Sequence, residues 1–284
     1  MTAPSFAEPS LPTSSNSLTI AGLSVMPASS TRPDAMKVLI HGLPGSGKTT
    51  LASSIAAQGK TLFVDLIGER GTMSFRGAPY EKNIDVVRPK SVVELTGIQR
   101  YLAKGDHDYT AVVLDSISAA QNSAMRFQLN YDEDTVTEIR KGRQTADQRT
   151  WGVVGEIMTD ISLFWMALAE SQRKKPIHVI FTSQTKMKTG VDGEAKLYPD
   201  VSPKSLAAAM AAPDYVFYTD VVEDLLDDGS AAMKHVVRVL PDPNYAIKAR
   251  IPEALQSKIP PVLGMDGKRP SLTTLGQVLG KISK

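Results

Sequence analysis

The chain has no cysteine. That excludes disulfides, thiolate zinc sites, cysteine-held iron–sulfur clusters and a cysteine nucleophile, and it fits a reducing, cytoplasmic setting. Histidine is scarce: four residues, at 41, 107, 178 and 235, none at the spacing of an HExxH metal site. No apolar run is long enough to span a bilayer. The best stretch, Ile157–Ala169, is short and broken by Asp160, so no membrane association is expected. Met1–Asp34 has neither a basic n-region nor a sustained apolar core, so it does not read as a secretory signal. An excess of one charge is also missing. The formal net charge is +2, and the sum does not advertise a nucleic-acid binder. What is present is 284 residues, 42% hydrophobic and 22% charged, the composition of an ordinary globular protein with enough chain for a sizeable core.

About half of residues 1–34 are Ser, Thr or Pro. This composition predicts a disordered arm, with Leu18–Met26 able to add a short strand. From residue 35 a single domain is expected, with its core over about 36–250 and a tail over 251–284. Strand-like runs at Met36–His41, Leu62–Leu66, Ile84–Val87, Ala111–Asp115 and Ile177–Thr182 alternate with helix candidates at Gly47–Ala57, Ser91–Lys104 and Trp151–Gln172. This alternation predicts an α/β fold with a mostly parallel central sheet. Beyond residue 213, Asp214–Asp220, Met233–Leu240 and Tyr245–Arg250 follow one another without helices, which predicts an antiparallel C-terminal extension. A short helix is expected at Leu272–Ile282.

Gly42-Leu43-Pro44-Gly45-Ser46-Gly47-Lys48-Thr49 fits GxxxxGK[ST] at every fixed position, and Thr50 follows it into the helix. The glycines let backbone N–H groups wrap phosphate oxygens, and the helix presents its positive end to the same anion. Lys48 reaches the β- and γ-phosphates, and the Thr49 hydroxyl takes Mg²⁺. The pattern predicts ATP with Mg²⁺, but not which reaction follows.

Three further segments bear on the reaction. Thr110-Ala111-Val112-Val113-Leu114-Asp115-Ser116 is an apolar strand ending in an acid, where a second metal-holding group is expected. Ring ATPases of the AAA type usually carry Glu directly after that Asp. Here the residue is Ser116, so a general base must come from elsewhere. Phe63-Val64-Asp65-Leu66-Ile67-Gly68-Glu69 supplies two candidates, Glu69 and Asp65. His178–Gly190 (HVIFTSQTKMKTG) is a strand that ends in Gln184 and enters a basic loop. A Gln there can bond the γ-phosphate or its water and report hydrolysis to the loop.

Together, TAVVLDS, the acid after the second strand and FTSQTKMKTG resemble the RecA-like recombinase core. The sequence is most similar to the compact phage ATPases of that group, which are linked to single-strand annealing and recombination. The family's acid usually stands two residues sooner, and Ser183 replaces its Asn. The resemblance implies an ATPase acting on single-stranded DNA as a homo-oligomer or filament, helped by a single-strand-binding protein. Lys248 and Arg250 alternate in sequence and so share a strand face. By position they correspond to cations that reach the γ-phosphate of a neighbouring subunit. Arg140, Lys141 and Arg143 correspond in order to a first DNA loop, and Lys186 and Lys188 to a second, which is expected to continue to about Pro203 with Tyr198 as a stacking face. Near-neutrality then reads as a cancellation between these basic stretches and acidic ones at 132–138 and 220–228. Two other readings fit the phosphate loop: a small-molecule or nucleotide kinase, and an NTP-dependent interaction module without turnover.

Overall fold

A computed structural model describes Thr19–Ile20, Leu23–Ser24 and residues 35–129, 146–170, 174–189, 194–225, 230–251 and 253–264. The chain divides into Met1–Arg32 and Pro33–Lys284. In the first unit, β1 (Thr19–Ile20) and β2 (Leu23–Ser24) pair antiparallel with each other. The rest of the expected disordered arm, the basic residues Arg140, Lys141 and Arg143, the acidic stretch at 132–138 and the helix expected at Leu272–Ile282 lie outside the described residues.

The second unit is a mixed α/β structure on one nine-stranded sheet. Its strands are β3 (Lys37–Gly42), β4 (Thr61–Asp65), β5 (Ile84–Val87), β6 (Ala111–Asp115), β7 (His178–Ser183), β10 (Tyr215–Leu225), β11 (Ala231–Arg238), β12 (Lys248–Ala249) and β13 (Val262–Gly264). The order is β13-β11-β10-β3-β7-β6-β4-β5, with β12 on β10. The run from β10 to β5 is parallel, and β11, β12 and β13 attach antiparallel. The antiparallel extension therefore begins one strand later than the sequence suggests, at β11.

Side chains alternate between the two faces of the sheet, as the period of a strand requires. Leu39, Leu62, Val64, Val112, Leu114, Val179, Phe181 and Val216 pack with α2 (Val92–Lys104), α3 (Ile117–Gln128), α4 (Gln148–Met166) and α5 (Pro203–Ala211). Val38, Ile40, Phe63, Val113, Ile180, Phe217 and Val237 face α1 (Lys48–Ser53) and the segment around Phe75, Ala78 and Tyr80. Both faces are covered, which is why the parallel strands read as unbroken apolar runs. Ser91, Ser116 and Asp147 cap α2, α3 and α4 by accepting backbone N–H groups of Glu94, Ala119 and Thr150.

Three local expectations change. Residues 185–199, read as a basic loop, form an antiparallel hairpin of β8 (Thr185–Thr189) and β9 (Ala195–Pro199). Tyr245–Arg250, read as a full strand, contributes only β12. With the 3-10 turn at Ala167–Ala169, α4 makes an unbroken 22-residue helix, long and apolar enough to cross a membrane by length and composition alone. Its apolar face is already used: Val154, Met158, Ile161, Trp165 and Met166 are buried against the sheet and its neighbouring helices.

Trp165 is the largest fully buried side chain, and close-packed surroundings cannot fill the volume it leaves. Trp165→Ala is expected to lower the unfolding free energy by about 3–5 kcal/mol, read from urea denaturation. An unchanged midpoint would place α4 outside the cooperative core.

Candidate active site

The site lies at the carboxyl ends of the parallel strands, on the α1 face. The register builds it. Asp65 of β4 is the partner of Asp115 of β6, and Leu114 pairs with Phe181 of β7, so Thr182 follows beside Asp115. Asp65, Asp115 and Thr182 share the strand parity of Phe63, Val113 and Ile180, whose side chains face α1. A row of oxygen donors thus crosses three strands beneath the phosphate loop.

The loop has the backbone the motif requires. Gly45 and Gly47 sit at φ 79° and 92°, conformations that side chains other than glycine rarely adopt. Gly42 is closely packed, since a Cβ there would overlap Thr219 and the Ser46 hydroxyl. Ser46 Oγ is in turn 2.7 Å from Thr219 Oγ1, which pins the loop to β10. Lys48 Nζ donates to the Gly42 and Leu43 carbonyls at 2.9 and 2.8 Å. Burial draws this ammonium below its usual range, while the charges of Asp115 and Glu69 push it back up.

Asp115 is almost wholly buried. Thr182 Oγ1 donates to its Oδ1, and Thr49 Oγ1 donates to its Oδ2 at 3.1 Å. Burial pushes the carboxyl up to about 6, and the Glu69 charge adds to the rise, against the pull of the Thr182 and Thr49 hydroxyls. A hydroxyl and a carboxylate, both hard oxygen donors, suit Mg²⁺, so Thr49 and Asp115 are the residues that would hold it. Gly71 packs against this carboxylate so closely that a Cβ would collide with Asp115 Oδ2 and the Phe63 ring.

The two candidate bases separate. Asp65 is committed on both oxygens: it accepts from the Gly71 N–H at 3.0 Å and from Arg88 Nε at 2.9 Å. Glu69 is half-buried, and Ser116 Oγ donates to its Oε1 at 2.6 Å. The Asp115–Ser116 peptide is cis. Ser116, the residue that stands where a Glu was looked for, thus orients the acid that comes from the next strand.

Gln184 follows β7. Its backbone N–H donates to Ser118 Oγ at 3.1 Å, and its buried Oε1 has no hydrogen-bond partner among the described residues. Lys186 and Lys188 lie on the β8–β9 hairpin. Lys248 has a different task from the one expected. Its Nζ donates to the carbonyls of Met210, Ala211 and Pro213 at 2.6–3.1 Å, so all three N–H groups cap the end of α5. Arg250 donates to Asp214 at 2.8 Å, and its side chain is 61% exposed. The sequence reading assigned no role to Thr182, Ser116, Gly71, Thr219 or Arg88, because each acts through register with a distant strand. Among the described residues no other cluster of acids or histidines could hold a metal ion.

A glycine-rich loop between strand and helix, a Lys at its end, and a buried Asp on a neighbouring parallel strand define a P-loop NTPase. A family model described as an AAA domain matches residues 34–251, well over half of the chain, and the chain belongs to that family. It is an AAA-type ATPase domain. No curated protein gives a significant match to the chain.

The buried carboxyl makes a pH-dependent prediction. A carboxyl whose folded-state pKa lies above its unfolded value stabilises the fold while protonated, and that contribution is lost as pH rises through the folded value. In EDTA, Asp115→Asn is therefore expected to be more stable than the wild type by about 3 kcal/mol at pH 8. The gain should fade as pH drops below about 6 and vanish near the unfolded carboxyl value. A gain independent of pH in urea denaturation would contradict the assignment.

Proposed function

We propose that the chain is a RecA-like ATPase acting on single-stranded DNA, in phage-type recombination or strand annealing, as a cytoplasmic homo-oligomer or filament that uses ATP with Mg²⁺ and cooperates with a single-strand-binding protein. The observation that carries this reading is the basic face of the β8–β9 hairpin. Lys186 is opposite Tyr198 in register, and Lys188 is opposite Lys196, so all four side chains lie on one face. Lys188 Nζ stands 5.9 Å from the Tyr198 ring centre. Partial burial, and then the Lys186 charge, hold the Lys188 ammonium below its usual range, an imbalance that a phosphate would relieve. Lysines for the backbone beside an aromatic ring for the bases are what a sequence-tolerant single-strand site needs. The hairpin starts directly after Gln184, so it hangs from the strand end beside the phosphate loop.

In the mechanism we infer, the loop N–H groups and Lys48 bind and orient the ATP phosphates. Thr49 and Asp115 would hold Mg²⁺, which when bound would supply charge neutralisation on the phosphate oxygens. Glu69, oriented by Ser116, takes the proton of the attacking water. The unpartnered Gln184 Oε1 reads the γ-phosphate or its water and carries that state into the hairpin. Arg250 is the cation offered to a neighbouring subunit's nucleotide. Lys248, fully engaged on α5, positions that segment instead.

The test is ATP turnover with and without single-stranded DNA, with the same mixture viewed by electron microscopy. Stimulated turnover and oligomers on DNA are expected. Lys186→Ala with Lys188→Ala should weaken DNA binding and flatten its log–log salt dependence by about 1.4, since each phosphate contact on single strands contributes about 0.7. An unchanged slope would move the DNA site off the hairpin, and turnover indifferent to DNA would refute the reading.

A further inference from the structure

His41 is the penultimate residue of β3, directly before Gly42, the first residue of the phosphate loop, and the mechanism above does not use it. Its strand parity is that of Leu39, so its side chain faces away from the nucleotide, toward the α3–α5 side of the sheet. It is fully buried, with its edge against the Tyr218 ring at 5.1 Å between centres. Both ring nitrogens are engaged. Nε2 is 3.0 Å from the Ala246 carbonyl, and Nδ1 is 3.1 Å from Thr185 Oγ1. A carbonyl only accepts, so Nε2 carries the proton and Nδ1 accepts from the Thr185 hydroxyl. Burial brings the ring down to about 4; the Ala246 bond opposes that fall and the Lys48 charge adds to it, so the imidazole is neutral at physiological pH.

The two bonds reach both strands of the hairpin. Thr185 is the first residue of β8. Ala246 donates its N–H to Leu197 of β9 at 2.8 Å, and Leu197 donates to Asn244 at 2.9 Å. The same 244–250 segment continues to Lys248 and Arg250. On the other side, the carbonyl of Gly42, the next residue in the chain, accepts from Lys48. A single rigid ring therefore lies between the phosphate loop and every element that the proposed cycle asks to respond.

We propose that His41 is a positioning residue that couples the phosphate loop to the β8–β9 hairpin and the 244–250 segment, so that nucleotide bound at the loop orders the hairpin. The bond from Thr185 to Nδ1 is the link to β8. Its consequence for DNA rests on the reading of the hairpin given above, but the coupling itself needs no DNA to be measured. Linkage makes it reciprocal: whatever the hairpin binds then tightens nucleotide by the same factor.

The experiment is amide hydrogen exchange of β8 and β9 with and without Mg·ATPγS, in the full chain, with nucleotide affinity measured alongside. Nucleotide should slow hairpin exchange by about fivefold or more in the wild type. Thr185→Val removes the hydroxyl from a half-buried position that tolerates the change. It should lose most of that response while nucleotide affinity stays within about threefold. Thr185→Ser keeps the hydroxyl and should restore the response, which packing alone would not do. His41→Phe keeps a buried ring without its bonds and should behave like Thr185→Val. A full response in Thr185→Val overturns the proposal. So does a wild type that binds Mg·ATPγS with no change in the hairpin, a result that leaves the ATPase reading standing. Absence of nucleotide binding in the wild type would overturn both.

Discussion

Burying the Asp115 carboxylate costs several kcal/mol unless donors and a cation answer its charge. Much of the catalytic half of the structure follows from that cost. Two threonine hydroxyls, from α1 and β7, are aimed at its oxygens. Gly71 is excluded from having a side chain by the same carboxylate. Lys48 sits close enough for Asp115 to support its charge against burial. A second acid, Glu69, adds to the burden, and Ser116 shares it through a 2.6 Å hydrogen bond. Hydroxyls quiet a buried acid only in part. A divalent cation bound with nucleotide would complete the compensation, which is a physical reason for such a site to favour metal–nucleotide over nucleotide alone.

The sheet separates two jobs at one set of strand ends. On the α1 face stand the loop, Thr49, Asp65, Asp115 and Thr182. On the other face stand His41 and Ser183, near the ends of β3 and β7, and Tyr218 of β10 in register with His41; Ser183 Oγ lies 3.1 Å from Ser118 Oγ of α3. A parallel strand alternates its side chains, so neighbouring residues such as Thr182 and Ser183 serve different faces without any loop between them. In the account proposed here, chemistry occupies one face and its transmission the other, and the strands themselves are the only partition.

The phosphate loop was legible because its geometry admits few residue types: φ values of 79° and 92° demand glycine. The strands were legible because burial on both faces leaves continuous apolar runs. The row formed by Asp65, Asp115 and Thr182 was not legible, because it depends on register among strands far apart in sequence. The hairpin left a signal that charge concealed. TKMKT and AKLYP both alternate on either side of a glycine-bearing stretch, but three lysines made the segment read as a basic loop. Lys248 was misjudged for a related reason. Its spacing from Arg250 suggested one shared face, whereas a helix end with unsatisfied carbonyls claimed it first.

Glu69 stands later after its strand than the RecA-like resemblance implies, and the fold nonetheless brings it within 2.6 Å of Ser116 at the site. The decisive measurement is steady-state ATP hydrolysis by Glu69→Gln beside nucleotide affinity in the same preparation. Turnover is expected to fall by about 100-fold or more, the scale of a lost general base, with affinity little changed. Wild-type turnover in Glu69→Gln would contradict a base role for Glu69.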